Sequence, residues 1–146
     1  MTSTSVENVE ALNVVTARFF KGLGDPVRLR ILEFLEEGER SVGEIVDHLR
    51  LPQNTVSMHL GCLRWCAYVT TRREGRRIFY SLADLRVTEI LRLAKELLDG
   101  SETYLLTCEV IGKTDENLVN VTGWLGKPRT EAVARQGKQT TRASRS

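Results

Sequence analysis

Two helical segments separated only by Arg50-Leu51-Pro52 dominate what this 146-residue chain can become. The first opens on Ser41-Val42-Gly43-Glu44, a capping-box pattern in which the serine and glutamate side chains satisfy each other's backbone N–H groups. Val42, Ile45, Val46 and Leu49 then fall on one helical face. The second segment runs from about Gln53 to Cys66 and turns Val56, Leu60 and Leu63 inward. A short capped helix, a tight turn and a longer helix are the plan of a helix-turn-helix, whose second helix enters the DNA major groove.

The flanking sequence extends that plan. Val9, Leu12, Val15, Phe19 and Phe20 recur at helical spacing over residues 6–20, and Gly22 and Gly24 close the segment. Asp25-Pro26 supplies an N-cap followed by proline at the first helical position. Val27, Ile31, Phe34 and Leu35 form the apolar stripe of this second helix. After Cys66, two β-prone runs, 68–73 and 76–81, flank Glu74-Gly75 and predict a hairpin with four arginines near its tip. Asp84 caps a further helix that runs to Gly100 on an Ile90, Leu91, Ala94, Leu97 and Leu98 stripe, and 101–108 adds a short helical piece. The expected fold is mainly α with a β-hairpin wing (α+β), a winged helix-turn-helix.

Charge agrees with a polyanion partner. Residues 50–77 carry six arginines against Glu74, whereas the chain up to residue 126 is net acidic. On the longer helix, Asn54, Ser57 and Met58 lie opposite the apolar stripe near the N-terminal end, beside Gln53, where amides and hydroxyls reach base edges and Met58 packs on a thymine methyl. Thr55 and His59 flank that surface, and Arg72, Arg73, Arg76 and Arg77 supply phosphate or minor-groove contacts. Trp65 and Trp124 read as packing residues. No Ser/His/Asp set, glycine-rich phosphate loop or catalytic carboxylate pair occurs, so an enzyme is not expected.

Three cysteines, an odd number without an export signal, argue against a disulfide framework and for a cytoplasmic chain. No apolar run approaches the roughly 18 residues of a membrane span. Cys62 and Cys66 stand one helical turn apart, about 40° around the axis. Such a pair can hold one metal ion or can simply fill space as small buried hydrophobes. Spacing leaves both readings open.

Leu23-Gly24-Asp25-Pro26-Val27-Arg28-Leu29-Arg30-Ile31-Leu32, Gln53-Asn54-Thr55-Val56-Ser57-Met58-His59-Leu60 with Leu63-Arg64, and the run 72–80 resemble, in order, the opening signature, recognition helix and wing of the ArsR/SmtB family of metal-sensing repressors. The resemblance spans about residues 10–108. It implies a homodimer, paired through the first and the long late helices, that binds double-stranded operator DNA and leaves it when an inducer binds. The arsenic and cadmium branch places two cysteines around a valine at the start of the third helix, where this chain has Ser41-Val42-Gly43. The zinc branch uses histidines on the late helix, and residues 84–99 contain none. What remains is similar to the cadmium- and lead-sensing CmtR branch, onto which Cys62, Cys66 and Cys108 map as metal ligands.

Three thiolates make a soft site for thiophilic ions. The expected inducer is Cd(II) or Pb(II), with Hg(II) and As(III) also acceptable. A thiol-based redox or persulfide sensor on the same fold is the alternative. The expected organisation is a DNA-binding and dimerisation domain over 1–110, an extension over 111–126 and a basic, disordered tail over 127–146, where six basic side chains face only Glu131.

Overall fold

The computed structural model describes residues 3–106 and Cys108. Helices α1 (Ser3–Leu23) and α2 (Pro26–Glu36) precede a two-residue strand β1 (Arg40–Ser41). Helices α3 (Val42–Leu49) and α4 (Gln53–Trp65) follow, then strands β2 (Val69–Glu74) and β3 (Arg77–Leu82). Helices α5 (Arg86–Leu98) and α6 (Glu102–Leu106) complete the described elements. The chain divides into two compact units, one ending at Ile90 and one beginning at Leu91.

In the first unit, α2, α3 and α4 pack on one another. Ile31, Leu32, Ile45, Val56, Leu60 and Leu63 are fully buried between them. Each such side chain contributes roughly 1.5–3 kcal/mol, so the core grips α4 by its inner face and leaves the outer face free. Local chemistry fixes the helix ends. The Asp25 carboxylate accepts from the N–H groups of Val27 and Arg28, with Pro26 at the first helical position. Ser41 and Glu44 form the full capping box. At the end of α4 the Tyr68 N–H donates to the Leu63 carbonyl and the Ala67 N–H to the Arg64 carbonyl. This is a Schellman closure, in which Ala67 occupies the left-handed position at φ 59° that glycine usually takes.

Strands β2 and β3 form the expected antiparallel hairpin, in register from Val69↔Leu82 to Glu74↔Arg77. The connection is the two-residue turn Gly75-Arg76, with Gly75 at φ 58° as a tight hairpin turn requires. β1, which the sequence did not predict, adds Arg40↔Tyr80 and Ser41↔Phe79 on the far side of β3. The wing is thereby stitched to the start of α3.

In the second unit, α6 accounts for the short helical piece expected after Gly100. The extension over 111–126, the tail over 127–146 and Trp124 lie outside the described residues. No described helix is long and apolar enough to cross a membrane.

Candidate DNA-reading face and thiol site

With its inner stripe buried, α4 presents Gln53, Asn54, Ser57 and Met58 to solvent, and Thr55 is half-buried. Gln53 and Ser57 line a groove of about 770 Å³ together with Ser41 and Glu44 at the start of α3 and Arg76 and Arg77 of the wing. The Gln53 amide, the Ser57 hydroxyl and the Arg76 and Arg77 guanidinium groups, donors of the kind that hold phosphates and base edges, thus share one groove, which the Glu44 and Asp47 carboxylates also line on the α3 side. Arg73 is exposed and donates from Nε to the Gly75 carbonyl at 3.2 Å.

Three residues depart from expectation. His59 is buried at 9% exposure, with Nδ1 3.6 Å from Asp25 Oδ1, so it lies between α4 and the cap of α2 and not on the exposed face. Arg72 is exposed but engaged: Glu39 accepts from its Nε and Nη2 at 3.2 and 2.6 Å. Glu74 accepts from Nη1 at 2.9 Å, and the guanidinium lies 4.8 Å over the Phe79 ring. Trp65, expected to pack, is 91% exposed.

The cysteines of α4 sit at the opposite end of the helix from the groove. Cys62 is half-buried and Cys66 exposed, and both are free thiols. Partial desolvation and then the neighbouring Cys62, within hydrogen-bonding reach, raise the Cys66 pKa, with Arg28 opposing. Burial and then the Cys66 and Cys62 thiols raise that of the Tyr68 phenol. Two cysteines, Tyr68 and Arg28 thus form one cluster.

Its other side is the end of α1. Tyr68 Oη donates to the Phe19 carbonyl at 2.6 Å, and its ring lies 5.2 Å from that of Phe19. Arg28 donates from Nε to the Gly22 carbonyl at 2.6 Å and from Nη2 to the Lys21 carbonyl at 3.4 Å. A Cβ on Gly22 would stand 2.5 Å from Tyr68 Oη, so glycine is what lets the phenol approach. Of these carbonyls, that of Gly22 is among the last four that α1 itself leaves open, that of Lys21 also accepts from the Gly24 N–H, and that of Phe19 lies one turn earlier, where Tyr68 adds a second donor to a helical carbonyl. Sequence reading missed Tyr68 and Arg28, although the Arg28 position inside the Leu23–Leu32 motif was visible.

Cys108 belongs to the second unit and is half-buried. Among the described residues no group of three His, Cys, Asp or Glu side chains is arranged to hold a metal ion. Cys62 and Cys66 fit a thiophilic ion as a two-sulfur set, soft and on one face of one helix. The apolar residues Val9, Leu12 and Val15 of α1 are more than half exposed in the single chain.

Comparison with known proteins agrees with this architecture. Residues 25–71 match the bacterial regulatory protein, arsR family. A probable mercury resistance operon repressor from Streptomyces lividans is 44% identical over 93 residues, covering 64% of this chain and 74% of that protein. The transcriptional regulator CmtR of Mycobacterium bovis is 43% identical over 75 residues, 51% of this chain and 64% of its own length. A solved homodimeric winged helix-turn-helix DNA-binding domain from Mycobacterium bovis superposes with a TM-score of 0.56 at 34% identity, covering 62% of this chain and 83% of that one. The motifs, the fold and these relatives converge: the chain belongs to the ArsR family of bacterial transcriptional regulators.

Proposed function

We propose that this protein is a homodimeric, cytoplasmic repressor that binds operator DNA through α4 and the wing and releases it when a thiophilic metal ion is taken up at Cys62 and Cys66. The observation that carries the reading is the cluster of Cys62, Cys66, Tyr68 and Arg28, which joins the DNA-reading helix to the end of α1. The uncovered apolar face of α1 supports its use in pairing two copies. Tyr68, just past α4, and Arg28, in the first turn of α2, tie both helices to carbonyls in the C-terminal part of α1. Cys62 and Cys66, as thiolates, would hold the ion, which would supply a soft Lewis acid able to keep both sulfurs deprotonated. A change of charge at the two sulfurs would be felt by the Tyr68 phenol, on which both act electrostatically, and through its bond to Phe19 would alter how α4 is carried by α1. Two recognition helices must meet major grooves one turn apart, so a small change costs contacts at both half-sites.

The metal is read from the donor count. Two thiolates satisfy an ion content with two soft ligands, such as Hg(II), and the similarity to the Streptomyces repressor favours that ion. Cd(II) and Pb(II), favoured by the likeness to CmtR, call for Cys108 as a third ligand, from the same chain or its partner. An ultraviolet titration of the reduced protein with each ion tests both points. The sulfur-to-metal charge-transfer band should saturate at one ion per chain and be lost in Cys62→Ser and Cys66→Ser. Retention of the Hg(II) band in Cys108→Ser, with loss of the Cd(II) and Pb(II) bands, separates the two ligand sets. No band with any ion overturns the proposal and leaves thiol oxidation as the signal.

A further inference from the structure

We propose that Arg72 is a positioning residue of the wing, held by Glu39, and does not itself contact DNA phosphate. Sequence pattern makes Arg72 one of four equivalent arginines; the structure separates it from the others. Glu39 takes it with both carboxylate oxygens, across 33 residues of chain. Glu74 takes a further N–H, and Ser81 donates its hydroxyl to Glu39. Three of the five guanidinium donors are thus committed, and one face of the group rests on Phe79. The Glu39 carboxyl is held below the usual carboxylate range chiefly by its hydrogen bond from Arg72, so the pair is ionised at neutral pH.

Position explains what the pair does. Glu39 immediately precedes β1, the two-residue strand that ties the wing to the first turn of α3. Arg72 lies on β2, the outer strand, which β1 does not touch. The Glu39–Arg72 bridge is therefore a second tie, spanning β3 from the α2–α3 corner to the outer strand. Together the two ties fix the angle at which Arg76 and Arg77 face Gln53 and Ser57 across the groove. Arg73, Arg76 and Arg77 are left as the wing's phosphate contacts.

The proposal rests on the wing contacting DNA, and sign separates it from the plain alternative. Were Arg72 a phosphate contact, removing the charge of Glu39 would strengthen DNA binding, and removing that of Arg72 would lower the salt slope by about one. A positioning role predicts the opposite for glutamate: Glu39→Gln and Arg72→Gln each weaken binding, about fivefold, with the slope unchanged, and the double variant is no weaker than either single. The probe is a duplex selected from random sequence by the wild-type protein, with affinity measured across a salt series. Amide exchange on β2 and β3 provides a readout independent of DNA, and both single variants should exchange faster there. Tighter or unchanged binding in Glu39→Gln, or unchanged exchange, overturns the proposal. A wild-type protein that selects no duplex instead overturns the DNA reading of the wing, while exchange still decides whether the tie exists.

Discussion

Changing Tyr68 to phenylalanine removes one oxygen atom and nothing else from the cluster between α4 and α1. The ring, 3% exposed and packed on Phe19, keeps its place. What is lost is the donation from Oη to the Phe19 carbonyl at 2.6 Å. A bond of this kind contributes about 1 kcal/mol net, and the Phe19 carbonyl, four residues before the end of α1, keeps its partner within the helix, so no further penalty for an unpaired acceptor is added. Stability should therefore fall by about 1 kcal/mol, read from the urea midpoint at constant m-value. If the phenol also transmits the state of Cys62 and Cys66 to α1, the same bond limits its share of the coupling to about 1 kcal/mol, or roughly fivefold in affinity. The assay is fluorescence anisotropy of labelled operator duplex with and without saturating Hg(II) or Cd(II), alongside the charge-transfer band. Tyr68→Phe should keep the full band and its stoichiometry while the metal-driven loss of DNA affinity shrinks about fivefold. An undiminished loss of affinity, with the stability cost present, would refute the route through Tyr68.

Other outcomes follow from the geometry. Ala67 holds a left-handed φ of 59° at the end of α4; Ala67→Gly should raise stability by roughly 1 kcal/mol, checked by thermal or urea unfolding, because glycine takes that conformation without the Cβ clash. The Glu44 carboxyl is held below its ordinary value of 4.5, first by the Ser41 N–H it caps and then by the Ser41 hydroxyl. Its folded pKa is depressed, so its contribution is present above about pH 4.5 and lost as pH falls through the lower folded value. Urea midpoints from pH 7 to 3 should drop below pH 4.5 in the wild type and less in Glu44→Gln.

Local chemistry was legible in the sequence where it is local. The Asp25-Pro26 cap, the Ser41–Glu44 capping box and the Val56, Leu60 and Leu63 stripe of α4 each depend on residues within one or two turns, and each stands as read. What escaped depends on partners distant in the chain. β1 has only two residues and no alternation of its own; it exists because β3 lies beside it. His59 sits at the edge of the α4 stripe, and only the packing of α2 on α4 brings Asp25 to it. Arg72 alternates outward as a strand residue should, and its partner Glu39 lies 33 residues earlier. Trp65 is different: at about 100° per residue it stands roughly 180° from Val56, so its exposure was in the spacing, and bulk was a poor guide. For the thiol site, the pairing of Cys62 with Cys66 follows from one helical turn, whereas Tyr68 and Arg28 join only through the end of α1.

Cys62 and Cys66, at the C-terminal end of α4, are proposed to control its grip on DNA. This control is tested most directly by titrating Hg(II), Cd(II) and Pb(II) into the reduced protein bound to labelled operator, in wild type, Cys62→Ser and Cys66→Ser. All three proteins should bind the duplex without metal, at least one ion should release the wild type at one equivalent per chain, and neither variant should be released. Release of the serine variants at the same equivalence, or a wild type that stays bound with every ion, would contradict this proposal.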